Sequence, residues 1–323
     1  MNKTQLDEVI EQKKQLFIQA SDTIWQYAEL RFAETQSVEL LCEILASEGF
    51  SVKKGIAGLS TAFVASFGAG SPVVAILGEY DALSGLSQQK NIARREPVAA
   101  GQNGHGCGHN LLGVGSLAAA IAVKEYLSEN NLSGTIRYYG CPGEEGGSGK
   151  TFMAREGAFD GSEVAITWHP MTHNSVFSMS TLANFQVAFK FLGKSSHAGT
   201  APHLGRSALD AVELMNVGVN YLREHIVPEA RVHYAITNSG GNSPNVVQPE
   251  AEVLYLIRAP KVDQVQGIYE RVCKIAQGAA MMTETHCEVV FDKACSNYIP
   301  NRVLGKLLLE NFIEVGAPRP DAA

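Results

Sequence analysis

The sequence has 323 residues, of which 45% are hydrophobic, and a formal net charge of −7. A chain of this length and composition can bury a large core and is expected to form more than one domain. The acidic balance and the lack of a strong basic cluster exclude nucleic acid and anionic membrane surfaces as the expected main partners.

Targeting signals are not expected. No apolar run in the sequence reaches the roughly 18–20 residues of a membrane span. The charged, amphipathic start "MNKTQLDEVIEQKKQLF" has no apolar core of a secretory signal. The six cysteines are scattered without a framework spacing, which is typical of reduced thiols. A cytoplasmic protein is therefore predicted.

Helices and strands alternate through the first part of the chain. Apolar residues at helical spacing predict helices over residues 4–32 and 35–48. Two strands, "STAFVASF" and "SPVVAILGEY", follow. After a long polar stretch the apolar helix "LLGVGSLAAAIAVKEYL" begins, with Asn110 as its predicted N-cap. This stretch is longer than most structureless loops, which favours a functional role.

The same alternation continues with the strand "GTIRYYG", a helix near residues 149–157 and the strand "EVAITWH". Residues 1–181 are therefore predicted to form the first part of an α/β domain. Its sheet is expected to be mostly parallel, with helices on both faces.

The second part of the chain has a different order of elements. Strand, helix, strand, strand, helix and strand patterns follow one another as "ANFQVAFKFLG", "SALDAVELMNVGVNYLREHI", "RVHYAIT", "AEVLYLIRA", "VDQVQGIYERVCKIAQGAAMM" and "HCEVVFDKA". This order predicts a ferredoxin-like α+β domain over residues 182–295. Residues 296–323 contain one more helical pattern, "RVLGKLLLENFIEVG", which is expected to begin a return to the first domain.

The segment "HGCGHN" places His105, Cys107 and His109 at alternate positions. In an extended segment such residues point the same way, so a thiolate and an imidazole could bind a transition metal, with zinc the default. The alternative is a glycine-rich turn with a structural cysteine.

The segment "GEEGG" places Glu144 and Glu145 side by side where a strand ends. Open α/β sheets gather ligands at the carboxyl ends of their strands, where His169, Glu79 and Asp81 are also expected. One glutamate could then bind a metal while its neighbour accepts a proton from metal-bound water. The alternatives are a strand-end histidine satisfied by hydrogen bonds and a simple turn at "YDALSG".

Six motifs occur in order along nearly the whole chain: "GEYDAL", "GHGCGHN", "PGEEGG", "TWHP", "SSHAG" and "GGNSPNVVQPEAEV". Together they resemble the metal-dependent aminoacylase/carboxypeptidase family. Within it they are similar to the amidohydrolase branch that contains the p-aminobenzoyl-glutamate hydrolases. The resemblance implies a catalytic α/β domain with two divalent metal ions, zinc or manganese, and a lid domain that commonly forms a homodimer.

Carried over position by position, the resemblance implies four metal ligands, namely Cys107, His109, Glu145 and His169. It implies that Glu144 is the general base and that Asp81 is the acid of the family's "DAL" motif. His197 and Asn245 correspond to lid residues that contact the substrate, His197 often in the partner subunit's site. Arg206 is a further candidate for binding the substrate's carboxylate, although a solvated surface arginine is the simpler interpretation.

The implied function is cleavage of an acyl- or aroyl-amino acid amide bond, with p-aminobenzoyl-glutamate as the leading substrate. A dipeptidase or an indole-acyl amino acid hydrolase of the same family is the first alternative. Relatives supply one more histidine ligand after the lid, whereas this chain stops at "GAPRPDAA". A truncated or shortened chain with weak metal binding is therefore expected, and a non-catalytic fragment or partner subunit is the second alternative.

Overall fold

The computed structural model describes residues 3–316. The chain divides into two compact units, the first ending at His173 and the second beginning at Asn174. The predicted boundaries at 181/182 and 295/296 stay predictions, and most of the terminal segment "GAPRPDAA" lies outside the described residues.

The described part of the first unit contains five α-helical segments, one short 3-10 helix (Ile56–Gly58) and five strands. Its helical segments are α1 (Lys3–Tyr27), α2 (Thr35–Ser47), α3 (His109–Glu129), the irregular turn α4 (Glu144–Gly147) and α5 (Gly149–Arg155). Its strands are β1 (Ser51–Lys54), β2 (Phe63–Ala69), β3 (Val73–Gly78), β4 (Gly134–Gly140) and β5 (Val164–Ile166). The predicted alternation of helix and strand is present, with β1 as an additional strand.

The sheet of the first unit is mixed, so the prediction of a mostly parallel sheet is wrong. Its strand order is β1-β2-β4-β3-β5. β3 runs parallel to β4 and β5, whereas β2 runs antiparallel to β1 and β4. The links from β1 to β2 and from β2 to β3 are too short for a crossover, so the chain reverses at each of them.

Helices cover both faces of this sheet, as predicted. Neighbouring strand residues point to opposite faces. Ile76 and Tyr138 therefore pack in the cluster formed with α1, α2 and α3. Ala75 and Tyr139 pack in a smaller cluster with Met153 of α5.

Two helix ends differ from the sequence prediction. α1 ends at Tyr27 rather than near residue 32, and Ala28 and Phe32 have positive φ angles of 43° and 60° that interrupt the helix. α3 begins at His109 with Gly108 in the N-cap position, so Asn110 is not the cap. The Asn110 side chain is buried instead and donates to Ser21 Oγ at 2.9 Å.

α3 is a mostly apolar helix of 21 residues. Among residues 3–316 it is the one helix long and apolar enough to cross a membrane by length and composition. Half of its most apolar stretch is buried. It packs against α1, β3 and β4, as the core helix of a folded domain does.

The second unit has the predicted β-α-β-β-α-β order. Its elements are β6 (Ala183–Leu192), α6 (Ala208–Leu222), β7 (Arg231–Asn238), β8 (Glu250–Ala259), α7 (Val262–Thr283), β9 (His286–Cys295) and α8 (Arg302–Val315). The sheet order is β7-β8-β6-β9, with every pair antiparallel. α6 and α7 pack against alternate residues of β6 and β8 in one hydrophobic core.

Candidate metal centre

Three segments of the first unit bring acidic and imidazole side chains together. β3 and β4 are parallel neighbours whose last residues, Gly78 and Gly140, are register partners. Glu79 and Asp81 follow β3, the turn α4 follows β4, and α3 begins at His109. The strand ends and the start of α3 therefore meet at one edge of the sheet, where open α/β sheets bind ligands.

His109 is held in one orientation by Asp81. The imidazole is fully buried, and its Nδ1 lies 2.9 Å from Asp81 Oδ1 and 3.1 Å from the Asp81 carbonyl oxygen. Nδ1 therefore donates, and Nε2 is left with its lone pair toward the acidic residues. A carboxylate that orients a histidine in this way is the usual support of a metal-binding imidazole.

Three buried atoms around His109 have no hydrogen-bond partner: His109 Nε2, Glu79 Oε2 and Glu145 Oε1. His109 Nε2 is 3.1 Å from Glu79 Oε2 and 4.0 Å from Glu145 Oε1. Buried polar atoms are rarely left without partners. Atoms of these types that converge without bonding to each other fit a divalent cation.

A second group of ligand atoms lies beside the first. The ligand atoms of Cys107, His109 and His169 are all within 4.8 Å of one another, as are those of Glu79, His109 and Glu144. The two groups share His109. The structure thus groups three predicted metal ligands, Cys107, His109 and His169. Glu145, the fourth, has its Oε1 4.0 Å from His109 Nε2 but belongs to neither group. Glu144, the predicted general base, lies among the grouped ligand atoms instead.

His169 is oriented by its own backbone neighbour. Its Nδ1 lies 2.8 Å from the Pro170 carbonyl oxygen, so Nδ1 donates and Nε2 is free to accept. Nε2 faces Cys107 Sγ at 3.5 Å. His169 lies three residues beyond the end of β5, because that strand is shorter than "EVAITWH" suggested.

The adjacent glutamates are separated by the irregular backbone of α4. Glu145 has a ψ of 90°, outside the helical range, and Gly146 follows with a positive φ of 68°. The Glu145 amide donates to Asp81 Oδ2 at 2.7 Å, which ties this turn to the residue that orients His109. The two carboxylates consequently face His109 Nε2 from different positions.

The electrostatics favour a cation at this edge. Burial lowers the pKa of His109, but the carboxylates of Asp81, Glu79 and Glu144 outweigh it and raise the pKa overall. Burial followed by the charge of Glu79 raises the pKa of Glu144. A carboxyl with a raised pKa is better suited to accept a proton in the neutral range.

Asp81 and Cys107 have opposite shifts. Burial tends to raise the pKa of Asp81, but hydrogen bonds from His109 and from the Glu145 amide lower it overall. Burial and then the nearby Glu145 carboxylate raise the pKa of Cys107 to about 12. A thiolate at Cys107 therefore needs a metal ion to replace its proton.

Sequence reasoning expected Glu79 at this edge of the sheet but gave it no role, and it did not identify Lys150. Glu79 is buried, lies beside His109 and forms an ion pair with the Lys150 ammonium group. A signal for Glu79 existed, because it directly follows the buried strand β3. Lys150 carries no comparable signal, since only the fold brings it to Glu79 from the start of α5.

His105 belongs to neither group among the described residues. Its Nε2 lies 3.0 Å from the Ile24 carbonyl oxygen, and its ring stacks on Trp25. Burial lowers its pKa to about 4. His105 is therefore a buried histidine whose Nε2 is paired with the end of α1, while its buried Nδ1 has no hydrogen-bond partner.

The second unit brings two predicted substrate residues together. His197 pairs with Val246 in an isolated bridge, and the Ala198 amide donates to the Asn245 carbonyl oxygen at 2.9 Å. The amides of Gly199 and Thr200 both donate to His197 Nδ1. The exposed His197 ring must then carry its proton on Nε2, which is a hydrogen-bond donor.

Arg206, the third predicted substrate residue, already has partners in the second unit. Its Nε and Nη2 contact Glu284 Oε2 at 2.9 and 2.8 Å, and Nη1 donates to the Gly205 carbonyl oxygen at 2.6 Å. A substrate carboxylate would have to compete with Glu284 for this guanidinium group.

Comparison with known proteins gives a consistent picture. Residues 75–294 match the sequence profile described as Peptidase family M20/M25/M40. The chain is 57% identical to one of the subunits of p-aminobenzoyl-glutamate hydrolase of Escherichia coli (strain K12) over 313 residues, covering 97% of this chain and 65% of that protein. It is 30% identical to Xaa-Arg dipeptidase of Mus musculus over 311 residues, covering 92% of this chain and 67% of that protein.

The fold is also found in solved structures. The crystal structure of an aminobenzoyl-glutamate utilization protein from Klebsiella pneumoniae matches with a TM-score of 0.77 and 22% sequence identity, covering 97% of this chain and 84% of that chain.

Proposed function

The chain belongs to Peptidase family M20/M25/M40, and on that premise we propose that it is a metal-dependent amidohydrolase. It cleaves the amide bond between an acyl or aroyl group and an amino acid. The leading substrate is p-aminobenzoyl-glutamate, which would give p-aminobenzoate and glutamate, as the name of the 57% identical relative suggests. Because the chain spans 65% of that relative's length, the activity of the whole protein is part of the proposal.

One observation carries the chemistry: His109 Nε2, oriented by Asp81, faces buried carboxylate oxygens of Glu79 and Glu145 that have no hydrogen-bond partner. We assign Cys107, His109, Glu145 and His169 as metal ligands, with Glu79 as an additional one. Thiolate and imidazole favour zinc, whereas the carboxylate-rich side also suits manganese.

Divalent ions bound there would polarise the amide carbonyl and lower the pKa of water. Glu144 would accept the proton of the attacking water. Two observations support this role: its carboxylate lies 3.9 Å from His109 Nε2, and its pKa is raised. Glu144 would then deliver that proton to the leaving amine nitrogen. Asp81 keeps His109 in the tautomer that presents Nε2 to the site.

The second unit would supply substrate contacts as a lid. His197 presents an Nε2–H donor, which could stabilise the negative charge that develops on the carbonyl oxygen. Asn245 lies on the neighbouring loop and would contact the same substrate. Arg206 remains a candidate for the substrate's carboxylate if its ion pair with Glu284 opens.

The proposed assembly is a homodimer formed through the second unit, whose outer strands β7 and β9 offer edges for pairing. A homologous partner subunit is the alternative, because the E. coli relative is named as a subunit. Light scattering at micromolar concentration tests the homodimer, and a monomeric mass would contradict it. A cytoplasmic location is proposed as well, since the six cysteines, all among the described residues, form no disulfide bond with one another.

The test of the function is metal analysis combined with a hydrolysis assay. About two firmly bound ions per chain after incubation with zinc or manganese, together with release of glutamate from p-aminobenzoyl-glutamate, would support the enzyme. A panel that includes Xaa-Arg dipeptides addresses the second candidate, a dipeptidase, which the 30% identical mouse relative favours. A chain that binds no metal and hydrolyses none of these compounds would support a non-catalytic subunit instead.

A further inference from the structure

The connection between α1 and α2, residues 28–34, contacts one of the two strand-end segments of the candidate metal centre through its backbone. The Ala82 amide donates to the Glu29 carbonyl oxygen at 2.8 Å, and Leu30 forms a parallel bridge with Ala82. Ala82 directly follows Asp81, which orients His109. The connection is thereby fixed to the segment that positions the imidazole.

The same connection holds the turn α4 from both sides. Glu34 is fully buried, and its Oε1 accepts a hydrogen bond from the Gly143 amide at 2.8 Å. Arg31 Nη1 donates to the Gly146 carbonyl oxygen at 2.6 Å. These two contacts bracket Glu144 and Glu145, one directly before the pair and one directly after it.

The ring of Phe32 fills the space between these contacts. A Cβ atom at Gly143 would lie 2.7 Å from the ring, and one at Gly147 would lie 2.8 Å from it. Gly143 also has a positive φ of 60°, which side chains rarely adopt. The turn can therefore lie against Phe32 only because glycines flank the two glutamates.

We propose that Arg31 and Glu34 are positioning residues that hold the turn with Glu144 and Glu145 in the geometry required for metal binding and proton transfer. The mechanism proposed above does not use either residue. Neither of them lies among the grouped ligand atoms, so they act through the turn alone. This inference rests on the proposed function for its catalytic consequence but not for its structural one.

The test uses Arg31→Met, which keeps the length of the side chain without a donor, and Glu34→Ala. Two matched controls lie in the same unit. Arg137 also donates to a backbone carbonyl, that of Asp160 at 3.2 Å, and Glu163 also accepts a backbone amide, that of Val73 at 3.2 Å. Arg137→Met and Glu163→Ala therefore report the general cost of losing such a bond.

We expect hydrogen exchange of the peptide spanning residues 141–149 to become about tenfold faster in Arg31→Met and Glu34→Ala, as expected for one lost hydrogen bond. The controls should leave this peptide unchanged. Metal affinity should fall about 10–100-fold, and at saturating metal kcat should fall while KM stays unchanged. Glu34→Gln keeps an oxygen that accepts from Gly143 and should recover most of both effects.

Two results would overturn the inference. One is exchange that rises equally over the whole first unit, since this indicates general destabilisation. The other is local loosening with normal metal affinity and kcat. If the unaltered protein neither binds metal nor hydrolyses the substrate, the proposed function fails, and the exchange measurement alone decides whether Arg31 and Glu34 hold the turn.

Discussion

The two units of the chain differ in which polar side chains they bury. Among the described residues of the second unit, Asn216 and Lys293 are the buried polar side chains, and Asn216 accepts a hydrogen bond from the Tyr255 hydroxyl. The first unit buries Glu34, Glu79 and Asp81 within reach of the same strand ends. Burying a carboxylate without a full set of hydrogen-bond or ionic partners lowers the stability of the fold. Their presence in the first unit alone, within the part of the chain that the structure describes, therefore indicates that these residues are kept for function rather than for stability.

The largest effect is expected from variants that test the different roles proposed for Glu144 and Glu145. Glu144→Gln should reduce hydrolysis by about 10²–10⁴-fold, because an amide cannot accept the proton from water. Elemental analysis should find its metal content unchanged. Glu145→Gln should lose metal, since an unpartnered carboxylate oxygen near His109 is removed.

Glu163→Gln provides the control for both variants, because Glu163 lies in the same unit but accepts from Val73 at the start of β3. Equal metal contents in Glu144→Gln and Glu145→Gln would contradict the division of roles. Metal loss in Glu144→Gln would instead make Glu144 a ligand together with Glu79 and His109.

The stability of the second unit should depend on its buried apolar side chains rather than on charged ones. Phe189 is fully buried in β6 and packs edge-on against Tyr255 at 5.6 Å between ring centroids. Phe189→Ala should lower the free energy of unfolding by about 3–5 kcal/mol through lost burial and a cavity. Denaturant unfolding followed by hydrogen exchange would assign this loss to the second unit.

Phe291 gives a matched control, since it belongs to the same sheet but is 47% exposed. Phe291→Ala should cost much less than Phe189→Ala. Metal binding by the first unit should be the same in both variants. A drop in metal affinity in Phe189→Ala would show that the two units do not act independently.

The same contrast explains what could be predicted from the sequence. In the second unit the predicted segments for β8, α7 and β9 agree with the structure to within one residue at each end. Their apolar residues alternate or recur at helical spacing because each element buries one face in a single core. The family resemblance and the α/β character of the chain are confirmed as well.

In the first unit the sequence prediction was wrong or incomplete where residues far apart in the sequence are in contact. Asn110 looked like an N-cap, but its partner is Ser21, 89 positions earlier. Glu79 became a candidate ligand only because α3 brings His109 against it. The order of motifs drew attention to Cys107, His109 and the paired glutamates, whereas the roles of Arg31 and Glu34 depend on contacts that no local period encodes.

The orientation of His109 is a smaller and more specific test of the candidate centre. Asp81→Asn keeps the shape of the side chain but replaces a charged acceptor of the Nδ1 proton. Metal affinity should fall about 10–100-fold, measured by competition with a chelating dye. Asp22→Asn is the control, because Asp22 forms a surface ion pair with Lys90 at 3.2 Å. Unchanged affinity in Asp81→Asn would mean that the buried contact with Asp81 does not support a ligand.

The smallest expected effect concerns Glu29, a carboxylate of the first unit that is fully paired. It accepts from the Gln36 and Ser37 amides, each at 2.9 Å, at the start of α2, where a negative charge also interacts favourably with the helix dipole. Burial tends to raise the pKa of Glu29, but these hydrogen bonds lower it overall from its ordinary value of 4.5.

Because the folded pKa of Glu29 lies below its unfolded value, its stabilisation is complete above about pH 4.5 and is lost as the pH falls through the folded pKa. Glu29→Gln should therefore lower the free energy of unfolding by about 1 kcal/mol at pH 7, as loss of a helix cap does. In a domain of this size the melting temperature should fall by about 2–4 °C. Melting curves from pH 7 to pH 3.5 should show this difference shrinking below pH 4.5. A difference that stays constant with pH would show that hydrogen-bond geometry rather than charge stabilises the start of α2.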